Sequence, residues 1–115
     1  MDRSLTRHER LRRRPEFLKV QQTGIRTRGR YLTLFVLVNR LSVSRLGVIA
    51  TRRLGCAVYR NRTKRVIREI FRLNKGLPGL DIVVLPGQGF LSARFLTLQT
   101  DFRDVLQRFE QSHTH

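Results

Sequence analysis

Cysteine occurs once in the chain, at Cys56. A single thiol excludes an intramolecular disulfide and any cysteine-built zinc cage, because both need several thiolates, and it suits a reducing compartment. No apolar run approaches the roughly 18 residues of a membrane span, and the basic N-terminus lacks the apolar stretch of a secretory signal. These features predict a cytoplasmic protein with no membrane partner. Acidic residues are scarce as well: eight Asp and Glu stand against 24 Lys and Arg. The eight are Asp2, Glu9, Glu16, Glu69, Asp81, Asp101, Asp104 and Glu110, and no tight motif joins them. A protein that cleaved phosphodiesters with its own metals would need clustered oxygen ligands; Asp101 and Asp104 read instead as a pair on a helix surface. Histidine is confined to the tails, at His8, His113 and His115, which leaves no paired imidazoles for metal-free cleavage. Internal repeats, low-complexity tracts and a linker are missing too.

What is present is positive charge, a net +16. Self-repulsion on that scale opposes compaction, so a partner supplying negative charge is implied, nucleic acid ahead of an anionic membrane surface. With 40% hydrophobic residues and seven Phe, the chain has the means to offset its ordering entropy, unlike a disordered basic tail. Its 115 residues suffice for one domain that buries roughly two-thirds of its unfolded surface, and are too few for two independent cores. The reading is one RNA-binding domain over residues 1–115, with a mobile basic arm at 1–13 and a tail at 112–115.

A helix is predicted from about Pro15, which suits a first helical position, with Glu16 complementing the dipole. Phe17, Leu18 and Val20 seat it, and Gly24 ends it in a left-handed cap. Residues 31–38 alternate as a strand, with Leu32, Leu34, Val36 and Val38 on one face and Tyr31, Thr33, Phe35 and Leu37 on the other. If helices pack on the first face, the aromatic one looks onto a groove. After a turn at 39–45, residues 46–51 read as a second strand paired with the first. Residues 81–85 read as a short buried strand between glycine and proline signals, and residues 95–111 as a closing amphipathic helix with Phe95, Leu98, Phe102, Val105, Leu106 and Phe109 at helical spacing.

The segment 55–76 is the most informative. At about 100° per residue, Tyr59, Thr63, Val66, Ile67, Ile70 and Phe71 gather on one half of a helix. Asn61, Lys64, Arg65, Arg68 and Arg72 take the other half, flanked by Arg60 and Arg62, and Asn74, Lys75 and Gly76 mark its end. Counting Arg52 and Arg53 just before it, residues 52–72 hold eight cations against Glu69 alone. Like charges four apart repel by a few tenths of a kcal/mol, so an external anion is the natural counterpart. Arginine dominates, and its planar fork binds phosphate bidentately while its face stacks on bases.

The run Gly55-Cys56-Ala57-Val58-Tyr59-Arg60-Asn61-Arg62-Thr63-Lys64-Arg65, followed by Arg68-Glu69, closely resembles the signature of the bacterial ribonuclease P protein family. Residues 12–24 look like that family's first helix and 47–55 like the strand and basic turn before the signature. The resemblance implies an α/β (α+β) two-layer sandwich, a sheet of about four strands with about three helices and a left-handed β-α-β crossover, like the second domain of ribosomal protein S5. It implies an accessory subunit of a ribonucleoprotein endoribonuclease, a hydrolase in which catalysis resides in the RNA and the protein supplies no nucleophile or general base. That RNA subunit, with bound magnesium, removes the 5′ leader of precursor tRNA. The protein holds the leader and supports the RNA's fold and metal binding, as a monomer, one per RNA, with no cofactor of its own. Carried onto this chain, the RNA-binding residues are Arg52, Arg53, Arg60, Asn61, Arg62, Lys64, Arg65, Arg68 and Arg72. The leader groove takes Phe17, Tyr31, Thr33 and Phe35; for Phe17 and Phe35 a place in the core is the competing reading. Arg52 and Arg53 stand where relatives usually show lysine, and Gln21 where they often show an aromatic. Cys56 reads as a packed small side chain. The rival classes are a ribosomal or general RNA-chaperone protein and a DNA-binding module, the latter lacking any helix-turn-helix or zinc pattern.

Overall fold

A computed structural model of the chain describes residues 7–74 and 78–113. Four strands, β1 Ile25–Arg28, β2 Leu32–Val38, β3 Arg45–Val48 and β4 Leu80–Pro86, and three helices, α1 Arg14–Thr23, α2 Ala57–Leu73 and α3 Phe95–His113, follow in the order α1-β1-β2-β3-α2-β4-α3. The sheet order is β1-β2-β4-β3. The β1/β2 and β2/β4 pairs are antiparallel and β3/β4 is parallel, so β3, α2 and β4 make the β-α-β unit implied by the resemblance.

The alternation of β2 divides the interior in two. Leu32, Leu34 and Val36 join Leu46, Ile82 and Val84 under α2 and α3, where Ile67, Ile70, Phe71, Leu98, Phe102, Val105, Leu106 and Phe109 complete the main core. On the opposite face α1 lays Val20 and Phe17 over Val83, with Leu11, Phe35, Leu37 and Ile49 around them. Two members of the predicted stripes stay out of the core at their ends: Val38 is 59% exposed and Phe95 36%.

Residues 46–51 do not pair with residues 31–38. β4 lies between them, because nearly all of its positions are buried and a strand buried on both faces belongs at the centre of a sheet. The loop after β2 crosses the start of β4, where the Asn39 N–H donates to the Gly79 carbonyl at 2.8 Å. β1 went unassigned in the sequence reading, which stopped at Gly24. That glycine is not a left-handed cap: its φ is −77°. Its role is close approach, since a Cβ there would lie 2.4 Å from the Val20 carbonyl oxygen and 2.9 Å from that of Val36.

The described part of the N-terminal arm lies along the sheet. Arg7–Glu9 form a 3-10 turn, Arg10 bridges Leu46 and the Leu11 N–H donates to the Leu46 carbonyl at 2.9 Å. The free edge of β3 offers backbone partners, and burial of Leu11, 5% exposed, holds the segment there. At the other end α3 runs through His113, into the span read as a tail, with Phe109 anchoring its last turns in the core. The helix stop at residues 74–76 is described only at Asn74, whose Nδ2 donates to the Ile70 carbonyl at 2.8 Å; Lys75 and Gly76 lie outside the described residues.

Candidate nucleic-acid interface

α2 is seated by Thr63, Ile67, Ile70 and Phe71, all fully buried, and the Thr63 hydroxyl donates back to the Tyr59 carbonyl at 3.0 Å. The opposite half carries the cations. Asn61, Arg62, Arg65 and Arg68 are exposed, while Arg60, Lys64 and Arg72 are half-buried by their stems. Arg72 closes onto Glu69. Arg60, Arg62, Lys64, Arg65 and Arg68 have no ion-pair partner among the described residues. Arg10, on the segment docked along β3, adds to this surface: burial and the nearby Arg10 charge both lower the pKa of Arg68. The Nε atoms of Arg10 and Arg60 are buried with no hydrogen-bond partner. The surface is therefore rigid, cationic and short of counter-charge.

A 3-10 turn, Arg52–Leu54, links β3 to α2 and exposes Arg52 and Arg53. Arg53 reaches around to the other side of the sheet, where a cleft of about 510 Å³ opens over Thr33 and Leu85. Its lining includes Arg26, Arg28, Arg30, Thr51 and Arg53 and no carboxylate. Of the four predicted groove residues, Tyr31 and Thr33 line it and Phe17 and Phe35 do not. Thr33 is buried at its floor. Phe17 and Phe35 are half-buried in the small core under α1; a Cβ on Gly47 would lie 2.5 Å from the Phe17 ring, so that ring rests directly on the backbone of β3. Tyr31 lines the cleft and also packs against the main core. Its backbone N–H, with that of Arg30, is tied to the Asp101 carboxylate at 2.7 Å and 2.9 Å.

The sequence reading missed Arg26 and Arg28, because β1 was not seen. The signal was there: Arg26, Arg28 and Arg30 recur every second residue, the period of one strand face. It also missed what holds α1 over the sheet. Arg45 makes two hydrogen bonds to Asp81, at 2.8 and 2.7 Å, and one to Glu16 at 3.1 Å. The Asp81 contacts, with Glu16 behind them, raise the Arg45 pKa further. Glu16 in turn accepts the Arg13 and Arg12 backbone N–H groups at 3.0 and 3.1 Å. Those bonds, Arg13 first, together with the Arg45 charge, hold its carboxyl below the ordinary range against the opposing effect of burial.

The carboxylates thus do structural work. Glu16 and Asp81 fasten α1 and β3, Asp101 fastens the β1–β2 turn, and Glu69 takes Arg72. No three His, Cys, Asp or Glu side chains gather as metal ligands among the described residues. Cys56 is not packed: it is exposed at the N-terminal cap of α2. There the backbone N–H of Tyr59, followed by that of Val58 and the Arg60 charge, lowers its thiol pKa. Its place is explained by geometry, since a cap residue stands outside the helix cylinder. No helix among the described residues is long and apolar enough to cross a membrane.

Comparison with known proteins gives a consistent result. A family model described as Ribonuclease P matches residues 5–110. The chain is 40% identical over 116 residues to the ribonuclease P protein component of Thermotoga maritima, covering 96% of this chain and 99% of that one. It is 35% identical over 113 residues to the component from Syntrophus aciditrophicus, covering 96% and 95%. Among solved structures, the Thermotoga maritima RNase P protein superposes with a TM-score of 0.79 at 38% identity, over 87% of this chain and 96% of that one. The Staphylococcus aureus RNase P protein gives 0.79 at 28% identity, over 89% and 95%.

Proposed function

The chain belongs to the ribonuclease P protein family, the protein subunit of a ribonucleoprotein endoribonuclease that processes tRNA, and from that premise we propose how its two cationic surfaces divide the work. The α2 face, with Arg60, Asn61, Arg62, Lys64, Arg65 and Arg68, docks on the folded RNA subunit. The cleft beside Tyr31 and Thr33, entered past Arg53, holds the single-stranded 5′ leader of precursor tRNA, which runs on toward Phe35 and Phe17 under α1. The observation that carries this reading is the pairing of a rigid helix face without counter-charge and an acid-free cleft across the sheet, joined by the Arg52–Leu54 turn.

A folded RNA presents a fixed array of phosphates, which suits guanidinium groups held in place by a packed helix. A leader is flexible and unpaired, which suits a groove with aromatic edges and backbone contacts, where stacking is worth roughly 1–3 kcal/mol per base without demanding a sequence. The chemistry stays with the RNA subunit and the magnesium it binds. The protein acts as one copy per RNA in the cytoplasm, without a metal of its own. The test is reconstitution: adding the purified chain to a bacterial ribonuclease P RNA at low magnesium stimulates leader release, and stimulation grows with leader length. Stimulation that does not change with leader length would take the leader out of the cleft.

A further inference from the structure

We infer that Arg26 and Arg28 on β1 form a phosphate-gripping rail, so that an extended RNA strand lies in the cleft with its backbone along β1 and its bases turned toward β2. The inference rests on the leader reading of the cleft and adds the strand's course and the residues that set it. In the antiparallel pairing, Arg26 stands directly opposite Phe35 and Arg28 directly opposite Thr33. Directly opposed residues share a face, so both arginines rise on the cleft side, each beside one position of the β2 floor. Both are exposed and neither has an ion-pair partner among the described residues. β1 ends the sheet, and Arg108 of α3 steadies it by donating to the Arg28 carbonyl at 3.0 Å, while both rail side chains stay exposed.

Spacing supports one nucleotide per arginine. Two residues along a strand advance about 6.8 Å, comparable to the length of one nucleotide in an extended chain. Arg53 faces the rail across the cleft, giving the strand a cation on each bank. Arg30 also lines the cleft, its guanidinium 5.7 Å from the Tyr31 ring centroid, but it lies beyond the end of β1, so the regular rail ends at Arg28. Charged side chains also guard sheet edges against pairing with other chains, and that role alone would account for cations on β1. Edge guarding, however, is indifferent to RNA and to leader length, which gives the distinction a readout.

The experiment uses the reconstituted holoenzyme with Arg26→Gln/Arg28→Gln, and precursors whose leaders increase one nucleotide at a time. Both side chains are exposed and the circular dichroism spectrum stays that of the parent; Arg28→Gln alone serves as a milder second variant with about half the logarithmic effect. Wild-type affinity rises with leader length, and the double variant loses about fivefold for long-leader precursor. Its salt slope for precursor falls by about 1.4, while binding of mature tRNA and of the RNA subunit is unchanged. A double variant that binds long-leader precursor as tightly as wild type, with wild type still leader-dependent, overturns the rail and leaves the groove reading intact. A wild-type enzyme indifferent to leader length overturns both.

Discussion

The cations of the docking face come almost entirely from one element, the 17 residues of α2, whereas the cleft draws Arg28 from β1, Thr33 from β2, Leu85 from β4 and Arg53 from the turn before α2. The first surface is local. Once Ile67, Ile70 and Phe71 bury, the 3.6-residue repeat points every arginine outward. The second is tertiary, and it borders the small core under α1, where α1 is held in place by the Glu16–Arg45–Asp81 network and by the contact of Phe17 with Gly47. Damage far from the RNA should therefore reach the cleft before it reaches the helix face, and the predictions that follow test that asymmetry in order of size.

Asp81→Ala should have the largest effect. Asp81 is 5% exposed and holds Arg45 by two bonds, so its loss leaves a partly buried guanidinium with Glu16 alone. Urea unfolding should show a loss of about 3 kcal/mol. Gly47→Ala comes next: the new methyl group must displace the Phe17 ring, at about 1–3 kcal/mol. In protein that remains folded, the preference for precursor over mature tRNA should shrink while affinity for the RNA subunit holds. Equal losses in both would erase the contrast between the surfaces. Arg62→Ala/Arg65→Ala should weaken assembly with the RNA subunit about fivefold more than Arg13→Ala/Arg14→Ala at matched ionic strength, although both remove two charges. Equal losses would mean the helix supplies charge without geometry.

The smallest effect is on pH dependence. Because the folded pKa of Glu16 is depressed, its contribution is fully present above the unfolded value near 4.5 and is lost as pH falls through the lower folded value. Acid titration of stability should therefore show a decline below pH 4.5 that Glu16→Gln flattens. An unchanged acid limb would remove Glu16 from the network that holds α1.

The same asymmetry explains what could be read in advance. The α2 pattern needs only the helix period, and Thr63, Ile67, Ile70 and Phe71 fall where the angles put them. The long apolar strand β4 and the helix α3 were legible for the same local reason. The order of the sheet was not: β3 looks like the partner of β2 because it follows it, and only the crossover through α2 brings β4 between them. Tyr31 has the alternation of a groove residue and lines the cleft, but the tie of its backbone to Asp101, seventy positions away along the chain, has no local signal. Arg26 and Arg28 were passed over because a four-residue strand beginning just after a glycine has too short a period to stand out. Gly24 and Gly47 serve close approaches of distant backbone and ring, which local turn rules do not register.

The central claim is that the two surfaces act separately, and one ratio tests it. In holoenzyme saturated with Arg62→Ala/Arg65→Ala protein, the affinity for precursor divided by that for mature tRNA can be measured beside the wild-type ratio in the same buffer. The account predicts an unchanged ratio, even though more protein is needed to saturate the RNA subunit. A ratio that falls in step with the loss of assembly would contradict it, because the helix face would then be holding the leader as well.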